Sequence, residues 1–336
     1  MKKYLIPPTG RFFKANLHCH TTVSDGMKTP EQIKALYTAN GYSVVAFTDH
    51  DVLVPHPELQ DGAFLPLNGF EAEIEEPGSA DWANRKQCHL CFIAKDPENL
   101  TMPFYHRTRY IWGGAEHYRA QLRYDDSQPD YIREYSHAGI SDMIRRGREA
   151  GFFVTYNHPA WSREDYPDYM GYQGMDAMEI MNYGCCCEGY LDYNPRVYDD
   201  LLHAGRKLYC IAADDNHGRI PDECGGWTMI KAEGLDYKSI TKALELGHFY
   251  ASWGPEIRDL WVEDGEIHIT CAPASRIIAT YGSRRSRMLQ GEALTEGAFP
   301  LRPDDGYVRI TVVDEQGRCA DTNACFMEEI LNEITF

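Results

Sequence analysis

Short β-rich runs that close on a histidine or a carboxylate recur through the first two thirds of the chain, and they alternate with helical patterns. Such alternation belongs to βα units around a parallel sheet, which confines the fold to the α/β class. FKANLHCH reads as a first strand and SVVAFTDHD as a second, apolar enough to be buried on both faces. FLPLNGFEAEI, QCHLCFIA, FFVTYNHP, DAMEIMNYG and KLYCIAADDNH follow as further strands. Between the first two, TPEQIKALYTANG offers Thr29 as a cap, Pro30 at the first helical position and Gly41 at the end. SDMIRRGREAG and PRVYDDLLHAG predict helices ahead of FFVTYNHP and KLYCIAADDNH. At 336 residues the chain suits one large α/β barrel, alone or with an appended module.

The pattern breaks twice. Residues 96–136, dense in aromatics and arginines, are too long for a simple βα connection and predict an insertion that is helical in part. It would serve either as a covering element or as a lid that contacts substrate. From about Ile257 the runs DLWVEDGEIHITCAP, SRIIATYG and GYVRITVVDEQGRCA alternate and are separated by turn residues, which predicts a small all-β, sandwich-like module over 256–336 after a barrel over 1–255. Such a module would cover a barrel edge or form a homodimer interface.

Composition narrows the partners. A formal charge of -18, from 51 acidic and 33 basic residues, makes a long nucleic acid a poor partner. The N-terminus lacks the apolar core of a signal peptide, and no stretch has the roughly 18 apolar residues of a membrane helix. A cytoplasmic protein away from membranes is the expectation. Eleven scattered cysteines then read as reduced thiols. Cys185, Cys186 and Cys187, being adjacent, cannot all face one ion and are expected to pack in a loop.

The polar residues carry the chemistry. His18 and His20, two apart, leave the same face of an extended chain while Cys19 points away. Asp25 follows in the next loop. His50 ends the second strand, Glu71 the third, His158 a later one, and Asp215 with His217 the last, whereas His89 lies near the start of its strand. Carboxyl ends of barrel strands converge on one mouth. Buried imidazoles and carboxylates gathered there would desolvate and repel one another unless cations sat among them, so metal binding removes the cost.

In order, the motifs H-x-H with S-D-G, T-D-H, G-x-E, a histidine within a strand, N-H-P and D-x-H resemble the PHP superfamily, named for polymerase and histidinol phosphatase. The resemblance covers about residues 12 to 250 and implies a distorted (β/α)7 barrel with two or three divalent metal ions, zinc, manganese or iron. It implies His18, His20, Glu71 and Asp215 on a first metal, Glu71 bridging to a second on His89 and His158, and Asp25, His50 and His217 on a third. Asp25 stands where some members carry histidine; its carboxylate makes that third site harder and favours manganese or iron there. GHFYASWGPEI and the β-rich tail ending in DTNACF also resemble the PHP branch with a C-terminal β-sandwich, such as the carbaryl hydrolase-like group.

Three close divalent ions suit hydrolysis of a phosphate ester of a small molecule, a nucleotide among the candidates, by a hydroxide that bridges metals in a trinuclear site. Glu71, Asp215 and His217 are the expected catalytic residues, with Asp49 orienting a ligand histidine. Arg107, Arg109, Arg119, Arg123 and Arg219 are the cations available for further phosphates of the small phosphorylated substrate. His106 or His117 would protonate the leaving group. The same site could instead attack a carbamate, ester or amide carbonyl, and a third reading is a binding protein whose metals are structural.

Overall fold

The computed structural model describes residues 2–331, and its strands join in one mixed sheet of 16. In chain order the first ten are β1 (Lys3–Tyr4), β2 (Arg11–Asn16), β3 (Val44–Phe47), β4 (Leu65–Glu75), β5 (Gln87–Ala94), β6 (Phe152–Tyr156), β7 (Ala177–Asn182), β8 (Tyr209–Ala213), β9 (Trp227–Ala232) and β10 (Phe249–Ser252). Helix α1 (Pro30–Ala39) begins where its sequence requires. The Thr29 hydroxyl accepts from Gln32 N at 3.3 Å, Gln32 Oε1 accepts from Thr29 N at 2.9 Å, and the chain leaves through Gly41 at a φ of 79°. The predicted second strand is β3, buried at all four positions.

Parallel pairing holds from β2 through β4 and again from β6 through β8. It fails at β5, which is antiparallel to both β4 and β6. The sheet curls: Phe13, Val44, Leu65, Ile93, Phe153, Ala177, Ile211 and Ile230, one residue from each of β2 to β9, share a single buried cluster. The ends of β2 and β8 meet as well. Cys19 and Asn216 form a parallel bridge, Asp215 N donates to His18 O at 3.0 Å, and His20 N donates to Asn216 O at 3.2 Å. The polar strand ends are thereby gathered on one side of the sheet.

Helix α2 (His137–Glu149) buries Ile140, Met143 and Ile144, and two short helices, α3 (Tyr166–Tyr169) and α4 (Tyr183–Cys187), follow later strands. Helices α5 (Pro195–His203) and α6 (Tyr237–Leu246) complete this part of the chain. The cysteine triplet lies in α4 rather than in a loop, and helical geometry turns its members different ways: Cys185 is buried and Cys187 exposed. All eleven cysteines are free thiols.

The insertion over 96–136 is mostly irregular, with a 3-10 helix at Gly113–Gln121 as its longest regular piece. Ile111, Ala115 and Leu122 pack on Val23 and Val52, so the insertion sits on the two loops that carry Asp25 and His50. That approach needs a glycine, because a Cβ on Gly114 would lie 2.5 Å from Ser24 O.

From Ile257 onward the described chain is β-rich: β11 (Ile257–Glu263), β12 (Glu266–Tyr281), β13 (Ser286–Pro300), β14 (Tyr307–Val313), β15 (Cys319–Thr322) and β16 (Cys325–Phe326), then α7 (Met327–Leu331). These strands have their own buried cluster around Ile269, Ile277, Val308 and Ile310. They are nevertheless continuous with the first part by hydrogen bonding, since β15 pairs with β10 and β11 pairs with β1. Residues 332–336 of the expected module lie outside the described residues.

Candidate metal centre

Each of the nine side chains singled out from the sequence reaches the same place. His18 and His20 follow β2, His50 follows β3, Glu71 lies in β4, His158 follows β6, and Asp215 and His217 follow β8. His89 comes from the start of its strand because β5 runs the other way, which puts its beginning beside its neighbours' ends. Two of these positions have a backbone that non-glycine residues rarely adopt, His158 at a φ of 24° and Asp215 at 52°.

Glu71 is the hub. Its carboxylate oxygens lie 3.2 Å from His18 Nε2, 3.3 Å from His20 Nε2, 3.3 Å from His50 Nδ1, 3.1 Å from His89 Nδ1 and 3.4 Å from His158 Nε2. Asp215 Oδ1 lies 3.1 Å from His18 Nε2 and 3.0 Å from His20 Nε2, and Asp215 Oδ2 lies 3.7 Å from His158 Nε2. Asp25 faces His20 Nδ1 at 3.6 Å, His217 Nε2 at 3.4 Å and His50 Nε2 at 4.0 Å. His18 Nε2 and His20 Nε2 are 3.1 Å apart, a separation that a shared proton or a shared cation must occupy.

The donor set fits cations. His20 Nδ1, His50 Nδ1, His89 Nε2 and Asp215 Oδ1 are buried and make no hydrogen bond to another described residue, whereas buried polar atoms ordinarily find partners. Ligand-type atoms cluster as His20 with Asp25, His50 and His217, as Glu71 with His89 and His158, as His18 with His158 and Asp215, and as His18 with Glu71 and Cys91. The second group coincides with the pair of histidines expected around Glu71. His20 faces both Asp215 and Asp25, so it stands between the expected first and third groups rather than within the first alone.

Electrostatics follows from this crowding. Burial raises the cost of ionising Glu71, but His18, His89 and His158 outweigh it and hold the carboxyl well below its ordinary range. Burial likewise opposes charge on His18, where Asp215, Cys91, Glu71 and Glu179 prevail and raise it. At His50 burial wins and, with help from His20, pushes the imidazole down to about 3.

Several further buried residues support the cluster, and Glu179 and Asp222 lie in none of the quoted motifs. Glu179, fully buried in β7, accepts from His158 N at 2.9 Å and Asn182 Nδ2 at 2.8 Å and lies 2.7 Å from His18 Nδ1. A lone carboxylate in the run A-M-E-I-M was its one sequence signal. It anchors the ring through Nδ1 with Nε2 turned toward Glu71, the atom that would face a cation. Asn157 Nδ2 donates to Glu71 Oε1 at 3.1 Å, and Asp222 accepts from His217 N at 2.7 Å. Glu179→Gln is expected to weaken metal binding about 10–100-fold while leaving the fold intact. Competition titration with a chromogenic chelator reads this, and unchanged affinity would remove Glu179 from the arrangement.

Other expected residues fall elsewhere. Asp49 accepts from Thr21 N (2.8 Å), Thr21 Oγ1 (2.9 Å), Ser24 N (3.1 Å) and Ser24 Oγ (2.7 Å), so it secures the loop leading to Asp25 rather than orienting a ligand histidine. Arg107 is engaged by Asp130 at 2.6 Å, and Arg119 donates to the carbonyls of Arg107 and Ile111. Of the five expected arginines, Arg219 alone lines the cavity over the cluster, where it donates to Asp25 O at 3.2 Å, while Arg107, Arg109, Arg119 and Arg123 do not line it. His106 and His117 are not on the cavity either; His117 is exposed. That cavity, of about 480 Å³, is walled by Trp82, Trp112, Trp161, Ile220 and Cys185 together with the acidic side chains. Sequence spacing could not separate arginines that face the mouth from those that brace the insertion.

Neither a family model nor a curated protein matches the chain. Among solved structures, a two-domain protein from Bacteroides vulgatus containing a predicted PHP-like metal-dependent phosphoesterase is similar at 16% identity and a TM-score of 0.45, covering 95% of this chain and 98% of that chain. A protein from Bifidobacterium adolescentis assigned as a metal-dependent phosphoesterase is 16% identical at a TM-score of 0.37, covering 64% and 90%. An amidohydrolase from Chromobacterium violaceum, with bound sulfate and no metal, is 18% identical at a TM-score of 0.37, covering 60% and 87%.

Proposed function

We propose that the chain is a PHP-type metal-dependent hydrolase that cleaves phosphate esters of small molecules. In this reading β2 to β8 form its distorted seven-stranded barrel, within residues 1–255, and residues 256–336 form its all-β module. The observation that carries it is the convergence of nine imidazole and carboxylate side chains, Glu71 and Asp215 at their centre, with four of their buried polar atoms making no hydrogen bond to another described residue. His18, His20, Glu71 and Asp215 would hold one divalent ion, Glu71, His89 and His158 a second, and Asp25, His50 and His217 a third. Zinc, manganese and iron all accept such ligands. Bound there, the ions would supply Lewis acidity, lowering the pKa of water and neutralising phosphoryl oxygens.

The chain's own side chains do the rest. Glu179 and Asn157 keep His18 and Glu71 in place, so the ligand set is ordered before substrate arrives. Trp112, tilted on His50 at 5.4 Å between ring centroids, and Trp161, 5.1 Å from His158, narrow the access of bulk water to the reacting centre. Arg219 is the one arginine among the described residues that line the cavity, and it would be available to a phosphoryl oxygen there. In the overall reaction the oxygen of water joins phosphorus, the ester P–O bond breaks, and the leaving oxygen takes up a proton. No described helix is long and apolar enough to cross a membrane.

The scarcity of cations on the cavity wall favours one competing reading, the attack of the same centre on a carbamate, ester or amide carbonyl. A panel of phosphate monoesters, phosphodiesters, carboxylic esters, carbamates and amides, run on metal-loaded protein whose ion content is measured, separates the two. Phosphate release is the expected result. Carbonyl hydrolysis without phosphate release would replace the first reading with the second.

A further inference from the structure

We infer that the cavity above the ligand cluster receives a cationic nitrogen, so that the organic part of the substrate ends in an alkylammonium group. The ester bond in this statement rests on the phosphoesterase reading above; the ammonium site does not.

The wall beyond the nine clustered residues is aromatic and acidic. Trp82, Trp112 and Trp161 line it together with Glu73, Glu75, Glu188 and Asp222. Some of this acidity is already answered within the protein. Glu75 pairs with Arg85 and accepts from Gln87 Nε2 at 3.1 Å, and Asp222 accepts from the backbone of His217 and Gly218. Arg219, the single arginine or lysine among the lining residues, is turned toward Asp25. Glu73 and Glu188 have no side-chain hydrogen bond or ion pair to another described residue, and both face the cavity. Glu73, half-buried opposite His89 in the β4–β5 pairing, and Glu188, which is exposed, leave two carboxylates on the wall with which a positively charged ligand group can pair.

The aromatic side chains point to the same ligand. Indole faces attract ammonium groups through the ring quadrupole, most strongly where water is excluded. A second phosphate would meet Glu73 and Glu188 with no free cation to offset them. The distribution of charge is therefore divided: ligands for cations at the bottom, which would draw the phosphoryl group, and carboxylates with tryptophans at the top, which would draw an ammonium.

The test uses the full metal-loaded chain and two esters of nearly equal shape, choline phosphate and neohexyl phosphate, in which carbon replaces the charged nitrogen. Choline phosphate is expected to have the higher kcat/KM, by about tenfold. Glu73→Gln should bring the ratio toward one. Trp112→Leu, at an exposed position that does not threaten folding, should lower it several-fold. Equal kcat/KM values for the two esters in the wild-type protein would overturn the inference. If neither ester nor p-nitrophenyl phosphate is hydrolysed, the phosphoesterase reading fails, and the ammonium site is then judged by titrating tryptophan fluorescence with choline and with neohexanol. Saturable quenching by choline alone, weakened in Glu73→Gln, sustains the inference. The same response to both alcohols, or to neither, overturns it.

Discussion

Glu71→Ala is expected to reduce turnover of the best substrate by about a thousandfold or more and to lower the ion content by at least one metal per chain. The reason lies in how many rings share one carboxylate. Five histidines lie within 3.4 Å of Glu71, and two of the ligand groupings include it. Alanine would leave those imidazoles facing a void with no negative charge, so they would have to repel, lose protons or hold cations more weakly. Glu71→Gln keeps the volume and removes only the charge, and it should lose metal almost as fully. Elemental analysis and circular dichroism on the same samples separate loss of metal from loss of fold. A well-folded Glu71→Ala protein with full metal content and unchanged turnover would refute the proposed centre.

Chelation should have the next largest effect. Ions that bind the folded chain and not the unfolded one stabilise it by mass action, by about 4 kcal/mol when free metal exceeds the Kd a thousandfold. Dialysis against a strong chelator is therefore expected to abolish hydrolysis and to lower the melting temperature by several degrees. Restoring zinc, manganese and iron one at a time should recover both, and the ion that recovers turnover identifies the working metal. Identical melting curves before and after chelation, with activity retained, would argue against resident metals.

The nine clustered residues were legible because each stands at a strand end or in a short motif, and their order along the chain is informative without coordinates. His18 and His20 reveal themselves by a spacing of two, and α1 by Thr29, Pro30 and Gly41. Direction was harder to read. QCHLCFIA is equally apolar whichever way it runs, since the side-chain period of a strand has no polarity; its antiparallel placement is decided by pairing with β4 and β6. The position of His89 near its strand start was the one trace of that reversal.

Residues that act through others escaped for a related reason. Glu179 matters through His18, 161 positions away along the chain, and Asn157, visible only as part of N-H-P, acts on Glu71, 86 positions away; no local pattern encodes such separations. Asp49 was visible as part of T-D-H, yet what it holds depends on how the loop from Thr21 to Ser24 folds back. That the arginines of the insertion lie off the cavity over the cluster was not legible, because a long loop has no periodicity from which facing can be inferred. Continuity of the β-rich end with the rest of the sheet was hidden as well, because the pairing of β10 with β15 joins Tyr250 to Thr322 across a long stretch of chain.

The reversed β5 also makes one wall of the cavity adjustable. Glu71 and His89 lie on the two arms of the β4–β5 hairpin, whose connecting segment, residues 76–86, carries Trp82 on the cavity wall. A change of length in that segment would move the wall, while His89, paired with Glu73 in the ladder, stayed in register. Variation in selectivity can thus be concentrated in a single surface turn without disturbing the pairing that holds two metal-binding side chains.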